Sequence, residues 1–477
     1  MSSTSCRSLR SGEPVMCKAW IQAAVLAVVG LAGASVRASE LCGGVDYVLQ
    51  ESLLVDTAGD SNAFVRCVAT GDLDNDGSPD IVASDRFSEE LLLVLNDGSG
   101  GFLPPVSIFT TGAKWNRIIL CEDLNGDGWV DIASSALGGL VVFLNRGVGA
   151  SEDWLGFEPS DLYPSGVNPH WVDAADIDGD GDKDLLVADL GEPGEMTGFH
   201  YFLNDGTGDY APGVQFDIGI DARCISIIGE DLNDDGLAEV LVTGRLPNAI
   251  NVLHVVDNAG MDDQGNWAGL SYRSNAIIEY GACSIRSGDF DVDGDPDLVI
   301  CHRTRGKITL LYNDGVGGLT HVEHPVPLTA EHAEPFDANG DGLPDLAVVI
   351  KEMNQVKIYV NDGSGLFASE ESLATGVEPK FCAVADFDLD GSPDIVSADS
   401  HPGFDWSSLT IHRNRTGTVE STCDGDISCD GRIGVDDLLG VISGWGQTDH
   451  PGDVNVDGYV GVDDLLTIVS LWGPCDP

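Results

Sequence analysis

The chain has 477 residues, with 79 acidic against 23 basic side chains and a formal net charge of −56. So acidic a surface excludes nucleic acid and anionic membranes as partners of the whole molecule. Sixty glycines and 21 prolines suit many short segments joined by tight turns better than long helices.

At the N-terminus, Arg7, Arg10 and Lys18 precede the apolar run AWIQAAVLAVVGLAGA, and Val36-Arg37-Ala38 places small residues at the −3 and −1 positions of a cleavage site. Polar sequence follows at once, so residues 1–38 read as a secretory signal peptide rather than a spanning helix, with Met1 or Met16 as the start. The expectation is a secreted or cell-surface protein with no transmembrane segment.

From residue 71 the chain reads GDLDNDGSPDIVAS, with four carboxylates in nine residues and no basic side chain to relieve them. The pattern D-x-D-x-D-G-x-x-D returns in each unit of a repeat, with first carboxylates Asp72, Asp123, Asp176, Asp231, Asp289, Asp337 and Asp386 at separations of 51, 53, 55, 58, 48 and 49 residues. Around each loop lie apolar runs of four to six residues bounded by Gly, Asn, Asp and Pro, one of them ending in a turn such as LNDGSGGF or YNDGVGG. Such runs read as strands, four to a unit. Radially repeated four-stranded units predict an all-β fold, a seven-bladed β-propeller. The repeats resemble the FG-GAP (integrin-α-like) and VCBS families over residues 44–416. The seventh unit lacks its outer strand, and YVLQESLLVD (47–56) is the segment available to close the ring.

In each loop the odd positions converge on one centre and Gly at position 6 permits the sharp turn. Hard oxygen ligands in this number suit Ca²⁺. The predicted ligands are Asp72, Asp74, Asp76 and Asp80; Asp123, Asn125, Asp127 and Asp131; Asp176, Asp178, Asp180 and Asp184; and Asp231, Asn233, Asp235 and Glu239. The later units supply Asp289, Asp291, Asp293 and Asp297; Asp337, Asn339, Asp341 and Asp345; and Asp386, Asp388, Asp390 and Asp394. The resemblance implies a further backbone carbonyl from position 7, and about seven ions in the propeller. Extracellular calcium fills even weak sites of about 10⁻⁴–10⁻³ M.

The opposite face is built from the segments leading into each unit and from the loops between second and third strands. It gathers 11 of the 19 basic residues after position 38. Candidate ligand-binding residues there are Arg66, Trp115, Arg117, His170, Trp171, Arg223 and Lys380, with Arg86, Arg303 and Lys351 on the same rim. The resemblance implies a ligand on the face away from calcium. A basic, aromatic mouth on an acidic body suits an acidic polysaccharide or a carboxylate-bearing peptide. The competing reading has these cations paired with neighbours such as Glu89, Glu90 and Glu352, and the tryptophans packed between blades.

No nucleophile elbow, zinc-protease helix or phosphate loop is present, so no catalytic residue is assigned. The enzyme alternative is a polysaccharide lyase with His170 as base. The cluster His321, His324, Glu331 and His332 offers ligands for a transition metal, but loop histidines beside prolines read more readily as solvent-facing. Cys67, Cys121, Cys224, Cys283 and Cys382 scatter over inner strands and read as buried core residues rather than a disulfide framework.

After a linker at 417–422, GDISCDGRIGVDDLLGVISGWG and GDVNVDGYVGVDDLLTIVSLWG repeat at an offset of 27 residues. Positions 1, 3, 5 and 12 are Asp426, Ser428, Asp430 and Asp437, then Asp453, Asn455, Asp457 and Asp464, each loop feeding an amphipathic helix. Residues 423–477 resemble a dockerin, a small α-helical module with EF-hand-like loops. That resemblance implies up to two further calcium ions and a docking partner, cohesin-like or on the cell surface. Val435 and Asp436, with Val462 and Asp463, stand where a dockerin presents small hydroxyls to a cohesin. The whole then reads as an exported, calcium-binding adhesion or binding protein for an extracellular glycan or protein.

Overall fold

The computed structural model describes residues 47–55, 64–110, 112–150, 153–192, 196–220, 223–246, 250–278, 280–363, 365, 367–402 and 407–415. In the C-terminal segment it describes 432–433, 438, 441–442, 445, 460–470 and 473–474. The predicted signal peptide, the linker and the predicted C-terminal calcium ligands fall outside these residues, apart from Asp464, whose side chain is not described.

Seven four-stranded antiparallel sheets follow one another. Blade one runs Val65–Gly71, Asp80–Asp85, Glu90–Val94 and Val106–Phe109 from the axis outward. The inner strands of blades two to seven are Ile119–Glu122, Pro169–Ala175, Arg223–Glu230, Ala282–Gly288, Ala330–Phe336 and Pro379–Ala385. Each inner strand packs on that of the next blade, and the seventh packs on the first, so the ring is closed. The seventh sheet takes its outer strand from the start of the chain: Tyr47–Val55 pairs antiparallel with Ser407–Asn414, Tyr47 opposite Asn414.

The second strands explain the apolar runs. DIVASD, DIASSA, DLLVAD, DLVICH, DLAVVI and DIVSAD are buried at every position, because blades cover both faces and alternation has no use there. Outer strands such as Leu319–Pro325 alternate or lie open. The inner-strand cysteines are free thiols, Cys121 half-buried and the others buried, as is Cys301 on a second strand.

In six blades the inner strand bulges near its start. The register shifts between Val65 and Cys67, Pro169 and Trp171, Cys224 and Ser226, Ala282 and Ser284, Ala330 and His332, and Pro379 and Phe381. The extra residues are Arg66, His170, Ile225, Cys283, Glu331 and Lys380, each six positions before its loop's first carboxylate. A bulge re-aims one side chain without breaking the ladder.

At the C-terminus the helix Val462–Ser470 is described, and Val441, Val460 and Ile468 form a small cluster with Leu438 and Leu465. Among the described residues no helix is long and apolar enough to cross a membrane.

Candidate metal loops and a cationic mouth

Every Asp loop is built by the same hydrogen bonds. The position 6 glycine, at φ of 84–99° in all seven, donates its N–H to the first carboxylate: Gly77 to Asp72 at 3.0 Å, Gly181 to Asp176 at 2.9 Å and Gly391 to Asp386 at 2.8 Å. The position 5 carboxylate is committed to its own turn, accepting the position 7 N–H, as Asp76 does from Ser78 at 2.8 Å. The last carboxylate is fully buried and staples the blade. Asp80 accepts Leu73 N–H at 2.9 Å and Asn96 N–H at 2.7 Å.

In the four loops that hold Asp at positions 1, 3 and 9, these carboxylates converge with one oxygen each within 4.8 Å of the others: Asp72, Asp74 and Asp80; Asp176, Asp178 and Asp184; Asp289, Asp291 and Asp297; Asp386, Asp388 and Asp394. Loops two, four and six have Asn125, Asn233 and Asn339 at the third position. Asp72 Oδ1, Asp178 Oδ1 and Asp291 Oδ1 are buried without any hydrogen-bond partner. Burial raises Asp80 and Asp184 to about 7 and Asp131, Asp297 and Asp345 to about 6, against the backbone N–H groups that lower them, and raises Asp394 to about 7 against the Arg413 charge first and a backbone N–H second. Orphaned oxygens facing like charges fit a hard cation, so the residues present suit Ca²⁺.

Inner strands begin at the opposite face and end at the loops, about 20 Å apart for seven residues. There five of the six bulged residues, all but Ile225, border a cavity of about 300 Å³ on the axis, lined by Phe64, Arg66, Arg86, Ile118, His170, Trp171, Cys283, Arg303, Glu331, Lys351, Lys380 and Phe381. Arg66, His170, Trp171 and Lys380 are thus brought together. Arg117 lies behind the wall, buried, donating to Asn168 Oδ1 at 2.6 Å. Trp115 stands outside with Arg86 5.9 Å from its ring centroid, and Arg223 is exposed away from the cavity.

Part of this charge is paired. Arg303 meets Glu331 at 2.6 Å, Lys351 and Lys380 share Glu378 at 3.3 and 3.2 Å, and Lys114 takes Glu89 at 3.0 Å. Among the described residues, no carboxylate pairs with Arg66 or Arg86. There Arg66 donates to neutral His170 Nε2 at 3.0 Å, and burial, then Arg303, Arg117 and Arg86, pulls its guanidinium down to about 9. Arg66 Nε, Arg86 Nε and Trp171 Nε1 are buried donors with no acceptor.

The floor is a buried stack. His332 lies flat on Phe381, centroids 3.6 Å apart, with Trp171 beside both. Ser284 Oγ donates to His332 Nδ1 at 2.9 Å, His332 Nε2 to Glu334 at 2.9 Å, and Arg286 closes the chain on Glu334 at 3.2 Å. His332 is therefore a core residue, which overturns the solvent-facing expectation: the inner strand Ala330–Phe336 carries it inward, where aromatic packing and two partners offset its desolvation. Ser284 is buried beneath the stack, so this relay plugs the channel. His170 Nδ1 donates to Ile225 O at 2.7 Å while Nε2 accepts from Arg66, leaving neither nitrogen free to take a proton from a substrate.

Residues 72–134, 123–187, 289–348 and 337–397 match the FG-GAP-like repeat. The chain therefore carries FG-GAP-like repeats on a seven-bladed propeller. No curated protein matches it. Among solved structures, BBS1N in complex with ARL6DN, soaked with mercury, is 13% identical at a TM-score of 0.50, covering 77% of this chain and 96% of that one. The same complex soaked with lead gives 12% and 0.47, with the same coverage. An Agrocybe aegerita lectin, described for specific recognition of non-reducing terminal N-acetylglucosamine, is 19% identical at 0.42, covering 70% and 81%. These likenesses concern the fold alone.

Proposed function

We propose that the protein is an exported, calcium-loaded binding protein whose axial mouth takes an acidic ligand, an acidic polysaccharide or a carboxylate-bearing peptide, while the C-terminal dockerin-like module anchors it to a partner. One observation carries the ligand class. Three buried donors, Arg66 Nε, Arg86 Nε and Trp171 Nε1, lack acceptors at a cavity where cations outnumber carboxylates. A carboxylate supplies both the acceptors and the charge that relieves the repulsion.

The FG-GAP-like repeats and the signal-like N-terminus support export, and the acidic clusters support calcium. For the module, the loop spacing and the helix Val462–Ser470, with Val462, Leu466 and Val469 exposed, support a docking role. The test is a calcium-containing screen of the protein against arrays of acidic and neutral glycans and of peptides ending in free or amidated carboxyl groups. Saturable binding confined to acidic ligands is expected. Equal binding of neutral ligands refutes the proposed mouth, and sustained product release from an acidic polysaccharide assigns a lyase instead.

A further inference from the structure

Resting on the calcium reading above, we infer that the seventh loop is the exception among the four all-carboxylate loops: its counter-charge is built into the chain as Arg413. Loops one, three and five each hold a buried carboxylate oxygen with no partner, on Asp72, Asp178 and Asp291. Among the described residues loop seven shows no such oxygen, and its third-position carboxylate, Asp388, is exposed where Asp178 and Asp291 are half-buried.

The difference lies at the last carboxylate. Asp80 Oδ2, Asp184 Oδ2 and Asp297 Oδ2 each accept one backbone N–H, from Leu73, Ile177 and Phe290 at 2.9, 3.0 and 2.9 Å. Each keeps a second lone pair for an ion. Asp394 Oδ2 accepts Phe387 N–H at 3.0 Å and also Arg413 Nη1, which uses both. Arg413 Nε lies 3.8 Å from Asp388 Oδ2, the third-position ligand. The corresponding residues of blades one, three and five, just before the asparagine that caps the staple, are Leu95, Leu203 and Tyr312, none of them cationic.

Arg413 is also fixed in place. It is buried at 4% exposure, with Phe102 and Phe387 centroids 5.9 and 5.5 Å from its guanidinium carbon. Nη2 donates to Gly100 O of blade one. A divalent ion beside this guanidinium would meet a like charge in a poorly screened site. Blade seven is where the two ends of the chain meet, so the closure of the ring is held by a covalently attached cation and does not wait for calcium.

Calcium stoichiometry on the full chain, by native mass spectrometry and equilibrium dialysis, tests this. Asp72→Asn is expected to lose one ion and Asp386→Asn none. Arg413→Leu is expected to gain one ion and to show a larger rise in melting temperature on calcium addition than the wild type. Loss of one ion by Asp386→Asn, as by Asp72→Asn, overturns the inference without touching the calcium reading, even if Arg413→Leu fails to fold. A wild-type chain that binds no calcium overturns both.

Discussion

Each blade carries an asparagine at or just past the end of its third strand, and six of the seven do the same two things at once, Asn258 showing among the described residues the contact across the boundary but not the cap. The backbone N–H of Asn204 caps buried Asp184 at 2.8 Å, while its side-chain Nδ2 donates to Leu124 O of the preceding blade at 2.7 Å and to Lys183 O at 2.9 Å. The contact across the blade boundary repeats at Asn96, Asn145, Asn258, Asn313, Asn361 and Asn414 at 2.6–2.9 Å. Asn204→Ala leaves Leu124 O and the Gly206 and Gly208 N–H groups without this partner and is expected to cost about 2–4 kcal/mol, read as a lower urea midpoint. A cost within the noise of the measurement would mean that water replaces the amide freely. The turn was legible in the sequence, but the clasp was not, because its acceptor lies about seventy to eighty residues away in all blades but the first. Position 4 of the loops hides a second residue-scale fact. It is left-handed in all seven, at φ 57–77°, although only three of the seven residues are glycine. Val292, at φ 62°, is β-branched where such residues are strained. Val292→Gly is expected to stabilise the protein by about 1 kcal/mol, visible as a higher melting temperature in calcium.

At the scale of the blade, the inner-strand bulge brings side chains of separate blades to one axial cavity. The spacing of six residues before the loop marks the bulged positions in the sequence. Arg66, His170 and Lys380 were legible there, and Cys283 and Glu331 obey the same rule. What the spacing cannot supply is depth. Arg117 occupies the equivalent position in blade two, whose inner strand, Ile119–Glu122, starts two residues later and shows no bulge of this kind; its guanidinium turns to Asn168. The plug of His332, Glu334 and Arg286 was equally hidden, since polar residues alternating along a strand look the same whether they face water or a filled channel. For the mouth itself, Arg66→Ala and Lys380→Ala are each expected to weaken an acidic ligand by about 1–3 kcal/mol, measured by titration calorimetry. Melting should stay unchanged or rise for Arg66→Ala, because removing one cation from beside Arg86, Arg117 and Arg303 relieves repulsion. A large loss of stability with unchanged affinity would return Arg66 to a purely structural role.

For the whole molecule, the loops are expected to couple stability to calcium and to pH with opposite signs. Without metal, burial holds Asp80 and Asp184 near 7 and Asp131, Asp297 and Asp345 near 6, above the ordinary aspartate value of about 3.9. A carboxylate raised by folding prefers the protonated native state. Its contribution is fully present below about pH 4 and is lost as pH climbs through 6 to 7, with about 1.4 kcal/mol for each tenfold gain in proton affinity on folding. Metal-free protein should therefore melt higher at pH 5 than at pH 8. Bound calcium favours the ionised form of its ligands and adds stability by mass action, so the loaded protein should melt higher at pH 8 and lose its ions on acidification. Asp173 and Asp399, buried apart from any loop and also raised to about 7, tilt both forms toward acid by the same amount. The decisive quantity is consequently the difference between the two melting curves, which should widen from pH 5 to pH 8. Scanning calorimetry on metal-free and calcium-saturated protein at the two pH values measures it. A gap that stays constant with pH would show that the last carboxylates do not feel the ion, leaving their role to the backbone staple alone.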